Sequence, residues 1–412
     1  MKLDVNKHDW LNAASTKRLF AVLPMGSARF VGGCVRNAVL GEPVADYDIA
    51  TWVEPREVAK LLKVADIAVH ETGIAHGTLT AVVDGTVFEI TTLRRDVSTD
   101  GRRATVEFTK DWAEDANRRD FTINALYADI DGQIYDPTGQ GLANIKVRKV
   151  RFVGKAETRI EEDYLRILRF FRFNAWYAQD KAMDGAGLTA CRDLKAGLKT
   201  LSSERVWSEL KKLLTAPAPF RTVNVMSVNG ILETLLPEAS NSEGLQLICE
   251  LETKQGLEPD PYLRLMAMAA RDELAMARLC KRLKMSNKEK VRLMNWAGDQ
   301  TALRPGLDEK ETKIAVYTAG TQTAMDRAVI RAAGASDPVE AAAWWRLHEF
   351  ARDWTRPEFP VTGKDLIAIG IPHGEKLGKA LAALKALWIR SGFNTKKPQL
   401  LAAANMLFKP SA

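Results

Sequence analysis

Cysteine and histidine are scarce in this chain, at four and five of 412 residues. Cys34, Cys191, Cys249 and Cys280 lie far apart with no C-x-x-C pair, and the histidines are scattered, which argues against a zinc centre and a disulfide framework. No apolar run approaches the ~18 residues that cross a bilayer, and no charged segment leads into a short apolar one at the N-terminus. A cytoplasmic protein without membrane attachment is the expectation. Tandem repeats and low-complexity tracts are also lacking, so the chain reads as globular.

What is present is ample apolar content, 46%, in a length that exceeds what one core usually serves, so two to four domains are expected. The formal net charge is +7, with many Lys and Arg in local clusters. That suits a polyanionic partner, although charge alone leaves nucleic acid undecided.

Short β-rich runs dominate residues 28–153, with an Asp84-Gly85 pair between two apolar runs as a hairpin signal. Helices are expected after Gly33, after Pro55 and from Trp112 to Arg118. Beyond Lys155 the periodicity turns helical and stays so. The expected fold is an α/β domain, a mixed sheet with helices, followed by an all-α remainder. Joints are expected at 216–219, 258–261 and 304–306, where proline and polar residues collect.

The segment RFVGGCVRNAVLGEPVADYDIAT, residues 29–51, is the richest in chemistry. A strand end is followed by Gly32-Gly33, whose backbone lets a ligand approach, and a helix N-terminus attracts phosphate. Asp46 and Asp48, two apart in a strand-like run, project to one face. Paired carboxylates repel unless a divalent cation neutralises them, and hard oxygen ligands favour Mg2+. A solvated turn is the plainer alternative. Glu89, alternating with Phe88 and Ile90, either joins that pair in nucleotidyl transfer or faces solvent as an ordinary strand residue.

Residues 94–110 are polar and read as a mobile loop, whose Arg94, Arg95, Arg102 and Arg103 serve a triphosphate or simply face water. Arg118 and Arg119 can clamp phosphate and Asp120 can accept a ribose hydroxyl, with an ion-pair network as the alternative. A helix is expected from Glu161 to Tyr177, on which Asp163, Arg166 and Arg169 form a polar stripe. Such a stripe can read the pairing edge of C or A, or be a surface ion pair. Lys281, Arg282, Lys284 and Lys288 belong to a basic helical patch that follows an RNA backbone or is a solvated face. The Gly-rich turn at 370–378 is a weaker phosphate signal, and the tryptophans read as core.

Taken in order, these motifs resemble those of the class II tRNA nucleotidyltransferase and bacterial poly(A) polymerase family, especially the CCA-adding enzymes. Gly32-Gly33-Cys34-Val35-Arg36 with Leu40-Gly41 and Asp46-Tyr47-Asp48 resembles the family's metal motif. Arg118-Arg119-Asp120 resembles its ribose motif, and Glu162-Asp163-x-x-Arg166 its amino-acid base template. Asp136-Pro137-x-Gly139, Ser203-Glu204-Arg205 and Glu209-Leu210 extend the likeness. It is strong over roughly the first half of the chain.

The resemblance implies a seahorse-like order of head (1–154), neck (155–216), body (217–305) and tail (306–412). It implies Mg2+-dependent, template-free addition of C, C and A from CTP and ATP to a tRNA 3′ end. Asp46 and Asp48 would bind metal with Glu89 assisting. Gly32, Gly33, Arg36, Arg118, Arg119 and Asp120 would hold triphosphate and ribose, Asp163, Arg166 and Arg169 would select the base, and residues 94–110 would help switch from C to A. Poly(A) synthesis, addition of only CC or only A, and an inactive RNA-binding scaffold remain alternatives. Asn37 stands where the family often has Asp, and 139–144 lacks the usual Gly-Gly and Asp-Leu pattern. The oligomeric state is open.

Overall fold

A computed structural model describes residues 1–100, 103–239 and 241–408, side chains at 96–106 excepted. The chain divides into two compact units, Met1–Pro237 and Glu238–Ala412. Residues 217–237, expected to begin the body, belong to the first unit.

Among the described residues, the first unit contains nine strands: β1 (Ala28–Val31), β2 (Tyr47–Thr51), β3 (Ala68–His70), β4 (Thr78–Val83), β5 (Thr86–Thr92), β6 (Arg94–Asp100), β7 (Arg103–Phe108), β8 (Tyr127–Ala128) and β9 (Ile134–Tyr135). Seven form one mixed sheet in the order β3-β4-β5-β2-β1-β8-β9, in which β2 and β5 run parallel. Alternation sets its two faces. Leu79, Ala81, Phe88 and Ile90 are buried, while their neighbours Thr80, Val82, Val87 and Glu89 point the other way. The β4–β5 turn has Asp84 and Gly85 at φ of 49° and 79°, the left-handed pair that suits a tight hairpin.

Helix α1 (Gly33–Leu40) follows β1, and α2 (Pro55–Val64) starts with proline in its first turn and buries Val58, Ala59 and Leu62. A third helix, α3 (Trp112–Asn117), adds Ala116 to a cluster with Val31, Ala50, Leu93, Tyr127 and Val153. The β-rich reading up to residue 153 reduces at its end to one bridge, Phe152 with Phe121.

Two expectations are corrected. Within 94–110, expected as a loop, Arg94–Asp100 and Arg103–Phe108 are strands, β6 and β7, that pair as a two-stranded ribbon with an irregularity between Asp96 and Ser98. The expected helix from Glu161 to Tyr177 is broken. Helix α4 (Ala156–Glu162) ends at Asp163, whose φ of −159° is extended, and α5 (Leu165–Phe173) begins beyond it. Asp163 Oδ1 accepts the Leu165 N–H at 3.1 Å, so the side chain occupies a donor that a continuous helix would have used. Five residues of π-helix follow, Asn174–Ala178. The buried face of α5 sets Phe170 on Phe152, ring centroids 5.4 Å apart, and each such ring contributes roughly 2–3 kcal/mol by burial. Farther on, α6 (Ser203–Leu214) packs against α5.

The second unit is helical. Its helices α7 (Pro261–Met268), α8 (Asn287–Gly298) and α9 (Thr321–Gly334) are capped or packed in ways the sequence carries. Asp260 accepts the Tyr262 and Leu263 N–H groups, and Ser286 with Glu289 closes a capping box. One core gathers around Val316, Ala324, Ala328 and Trp344, another around Leu366, Leu384 and Trp388. Among the described residues, no helix is long and apolar enough to cross a membrane. The expected fold class, a mixed α/β sheet domain followed by helices, is what the chain adopts.

Candidate active site

Parallel pairing of β2 with β5 puts Asp48 beside Glu89, and antiparallel pairing of β4 with β5 puts Thr80 on the other side of Glu89. These positions form a cross-strand row on the face opposite the Phe88–Ile90 core. Asp46 lies exposed at the entry to β2. Partial burial, then the charges of Glu89 and Asp46, raise the Asp48 pKa, with Arg119 and Arg36 pulling against them. Burial is the largest cause, and the like charges of Glu89 and Asp46 add to it. Among the described residues, no three acidic, histidine or cysteine side chains converge tightly enough to enclose a metal ion. The donors present are carboxylate oxygens in electrostatic conflict, and they fit a hard divalent cation bound from one side and left open for substrate. Cys34 has no nucleophilic part: its buried thiol lies 3.3 Å from the Val31 carbonyl, and burial reinforced by Asp48 pushes its pKa up to about 12.

Gly32 turns the chain from β1 into α1 with φ of 72°. The positive φ is what calls for glycine; the Arg119 guanidinium lies beside it, where a Cβ would make ordinary contact with Nη1 at 3.6 Å. No side chain caps α1. Its first N–H groups are thus open to an anion.

Arg118 and Arg119 are held by a carboxylate that the motif reading did not single out. Asp115, in α3, is 1% exposed; Arg118 Nε donates to its Oδ1 at 2.8 Å, Arg119 Nη2 to its Oδ2 at 3.0 Å and the Tyr127 hydroxyl to Oδ2 at 2.7 Å. Burial opposes ionisation of Asp115, but Arg119, Arg118 and Tyr127 outweigh it and bring its pKa down to about 2. The ion-pair network is real, and since one carboxylate serves two guanidiniums, one positive charge remains beside Gly32 and the acidic row.

Comparison with known proteins fits this arrangement. Residues 28–151 match the poly A polymerase head domain, 183–242 a segment described as "Probable RNA and SrmB- binding site of polymerase A", and 261–404 tRNA nucleotidyltransferase domain 2. The chain is 35% identical over 379 residues to the mitochondrial CCA tRNA nucleotidyltransferase 1 of Danio rerio, covering 90% of this chain and 86% of that one. It is 32% identical to the CCA-adding enzyme of Levilactobacillus brevis, covering 91% and 93%. The chain belongs to the CCA-adding tRNA nucleotidyltransferase family. The crystal structure of the Bacillus stearothermophilus CCA-adding enzyme in complex with CTP superposes with a TM-score of 0.70 at 29% identity, covering 98% of each chain.

Within this CCA-adding fold, the residues expected to read the base do not form one stripe. The break at Asp163 separates them into three pairings. Asp163 Oδ2 accepts from Arg205 at 2.6 Å. Arg166 Nη1 donates to Glu162 at 2.5 Å and to the Arg159 carbonyl at 2.9 Å. Arg169 donates through Nε to Asp120 Oδ2 at 2.8 Å. Asp120 is buried, and its other oxygen accepts the Phe121 N–H and Asn124 Nδ2, at 2.8 and 3.0 Å. Burial works against its charge, but Arg169 and these donors keep its pKa below the usual carboxylate range.

Arg36 is likewise enclosed. Its Nη1 donates to Asn124 at 2.5 Å and its Nη2 to Asn37 at 2.9 Å and Tyr177 at 2.6 Å. Asn37 Nδ2 in turn donates to the Pro43 carbonyl at 2.8 Å, which an aspartate could not do. A continuous network thus runs from Pro43 through Asn37, Arg36, Asn124 and Asp120 to Arg169. Its members hold elements together.

Of the ribbon arginines, Arg95 pairs with Glu107 and Glu114 at 2.9 and 3.2 Å and Arg94 donates to the His76 carbonyl. Arg102 lies outside the described residues. In the second unit Lys281, Lys284 and Lys288 are exposed and Arg282 pairs with Glu238. Asp115, Tyr127, Asn124 and Arg205 were not legible as site residues. Only Asp115 had a local signal, its i, i+3 and i, i+4 spacing to Arg118 and Arg119.

Proposed function

We propose that Asp46 and Asp48, assisted by Glu89, carry CCA addition by holding Mg2+ on the open face of β2 and β5. Bound there, the cation would supply charge stabilisation to the triphosphate and acidify the attacking hydroxyl. The observation that carries this reading is the Asp48–Glu89 register beside Asp46, an acidic row next to an uncapped helix N-terminus and the residual positive charge of Arg118 and Arg119. The tRNA 3′-hydroxyl attacks the α-phosphate of CTP twice and of ATP once, and pyrophosphate leaves each time.

The N–H groups at the start of α1 and the Arg119 guanidinium above Gly32 orient the triphosphate, and Arg118 adds a second fork. Asp115 fixes both forks before substrate arrives, which removes part of the entropic cost of orientation. Asp163 and Arg166 select C or A by accepting from the exocyclic amine and donating to the ring, with Glu162 and Arg205 setting their angles. Asp120 and Arg36 act by positioning rather than by contact, because both are buried as well as engaged, and Arg169 does so as the cation paired with Asp120.

The test is extension, at single-nucleotide resolution, of tRNA lacking its terminal CCA, with CTP, ATP or both. Two additions with CTP alone and three with both support the reading. A long A tail would assign poly(A) synthesis instead.

A further inference from the structure

The second unit holds a cavity of about 370 Å³ whose lining includes three arginines, Arg271, Arg327 and Arg331. Arg327 and Arg331 are four residues apart on α9 and so share a face, and Arg271 comes from the turn after α7. Trp296 of α8 and Glu340 complete the wall used here.

The guanidiniums are not used up. Each has five N–H donors. Arg327 Nη1 serves Asp299 and, at 2.9 Å, the Thr301 carbonyl. Arg271 Nε donates to the Trp296 carbonyl at 2.9 Å, which caps the last turn of α8 but accounts for neither of its Nη groups. Among the described residues, Arg331 has no recorded hydrogen bond or ion pair. Burial first, then the charge of Arg327 and, against Asp299, that of Arg331 lower the Arg271 pKa. Three cations thus meet two carboxylates, Asp299 and Glu340, and Asp299 is already taken by Arg327. Arg271 and Arg331 are exposed, so water screens part of this like charge, and an anion held between them would relieve the rest.

We propose that this cavity binds a phosphate group, with the Nη donors of Arg271 and Arg331 as its fork and Arg327, locked by Asp299, as its fixed wall. A phosphodiester of the RNA substrate and a free phosphate or pyrophosphate present the same oxygens to that fork. The cavity is therefore a second anion site, separate from the residues assigned to catalysis.

The experiment compares the full chain with Arg271→Gln/Arg331→Gln and with the charge-retaining Arg271→Lys/Arg331→Lys, and the exposed single change Arg331→Gln serves if the double variant does not fold. One arm measures the shift in thermal midpoint with inorganic phosphate against chloride at equal ionic strength, without divalent metal. The other measures tRNA affinity across salt concentrations, with kcat and KM for CTP alongside. Loss of the phosphate-induced shift with tRNA binding intact assigns a free anion. A fall of about one in the salt slope with roughly ten-fold weaker tRNA binding, at unchanged KM for CTP, assigns a phosphodiester. In either case the Lys variant retains part of the effect. A double Gln variant indistinguishable from wild type in both arms overturns the proposal.

Discussion

Replacing Asp115 by asparagine keeps the shape of the side chain and removes its charge. The carboxylate is 1% exposed and binds Arg118 and Arg119, whose side chains are only 16% and 18% exposed, so the change leaves two poorly hydrated cations facing each other. Breaking a buried pair costs about 3–5 kcal/mol, and the remaining amide oxygen brings the expectation to about 3. The ionisation balance agrees: with a folded pKa of about 2 against 3.8 when unfolded, the linkage contribution is about 2 kcal/mol. The sign follows from the depressed pKa. That stability is fully present above about pH 5, and is lost as pH falls through 3.8 toward 2. Urea unfolding of wild type and Asp115→Asn, compared from pH 7 to pH 2.5, should give a gap of about 2–3 kcal/mol that is flat down to about pH 5 and then closes. The same variant should raise KM for both CTP and ATP, because Arg119 is no longer held above Gly32. A gap below about 0.5 kcal/mol at pH 7, the scale of an exposed pair, would refute the reasoning.

Gly32→Ala should cost about 1–3 kcal/mol because L side chains rarely adopt its backbone, φ of 72° with ψ of −117°, read as lower thermal stability with a higher KM for CTP as the turn into α1 shifts. All four thiols are buried, with pKa raised by burial, Cys34 and Cys249 to about 12, so the native chain should not react with a thiol reagent at pH 8 until denatured. Asp163→Ala should weaken the preference for C and A over G and U by about ten-fold or more, seen in misincorporation with single nucleotides. Arg205→Ala should do the same more mildly, since Arg205 orients Asp163.

Sheet and helix periods were readable where apolar residues carry them: β4, β5 and their turn follow from alternation and from Asp84-Gly85, and α2 from its proline start. The polar ribbon β6–β7 escaped because its strands hold each other by backbone pairing, with no apolar stripe to announce them. The break at Asp163 escaped for a related reason. Apolar periodicity runs on through Leu165, Ile167 and Leu168 while one side-chain oxygen resets the helix. In the candidate site, the face of Glu89 opposite Phe88 and Ile90 was legible because strand alternation is local. The partners of Arg36, Asp120 and Arg169 were not, since Asn124, Tyr177 and Glu209 come from 40 to 141 residues away. Long-range pairing of this kind carries no spacing signal.

The central claim is that the paired aspartates hold the cation that drives nucleotide transfer. The most direct measurement is extension of tRNA lacking CCA by wild type, Asp46→Ala and Asp48→Ala at increasing Mg2+, with circular dichroism and tRNA binding measured in parallel. The account predicts that both variants fold and bind tRNA like wild type, yet add nucleotides at least about a thousand-fold more slowly at every Mg2+ concentration. Addition by Asp48→Ala within ten-fold of wild type would contradict it.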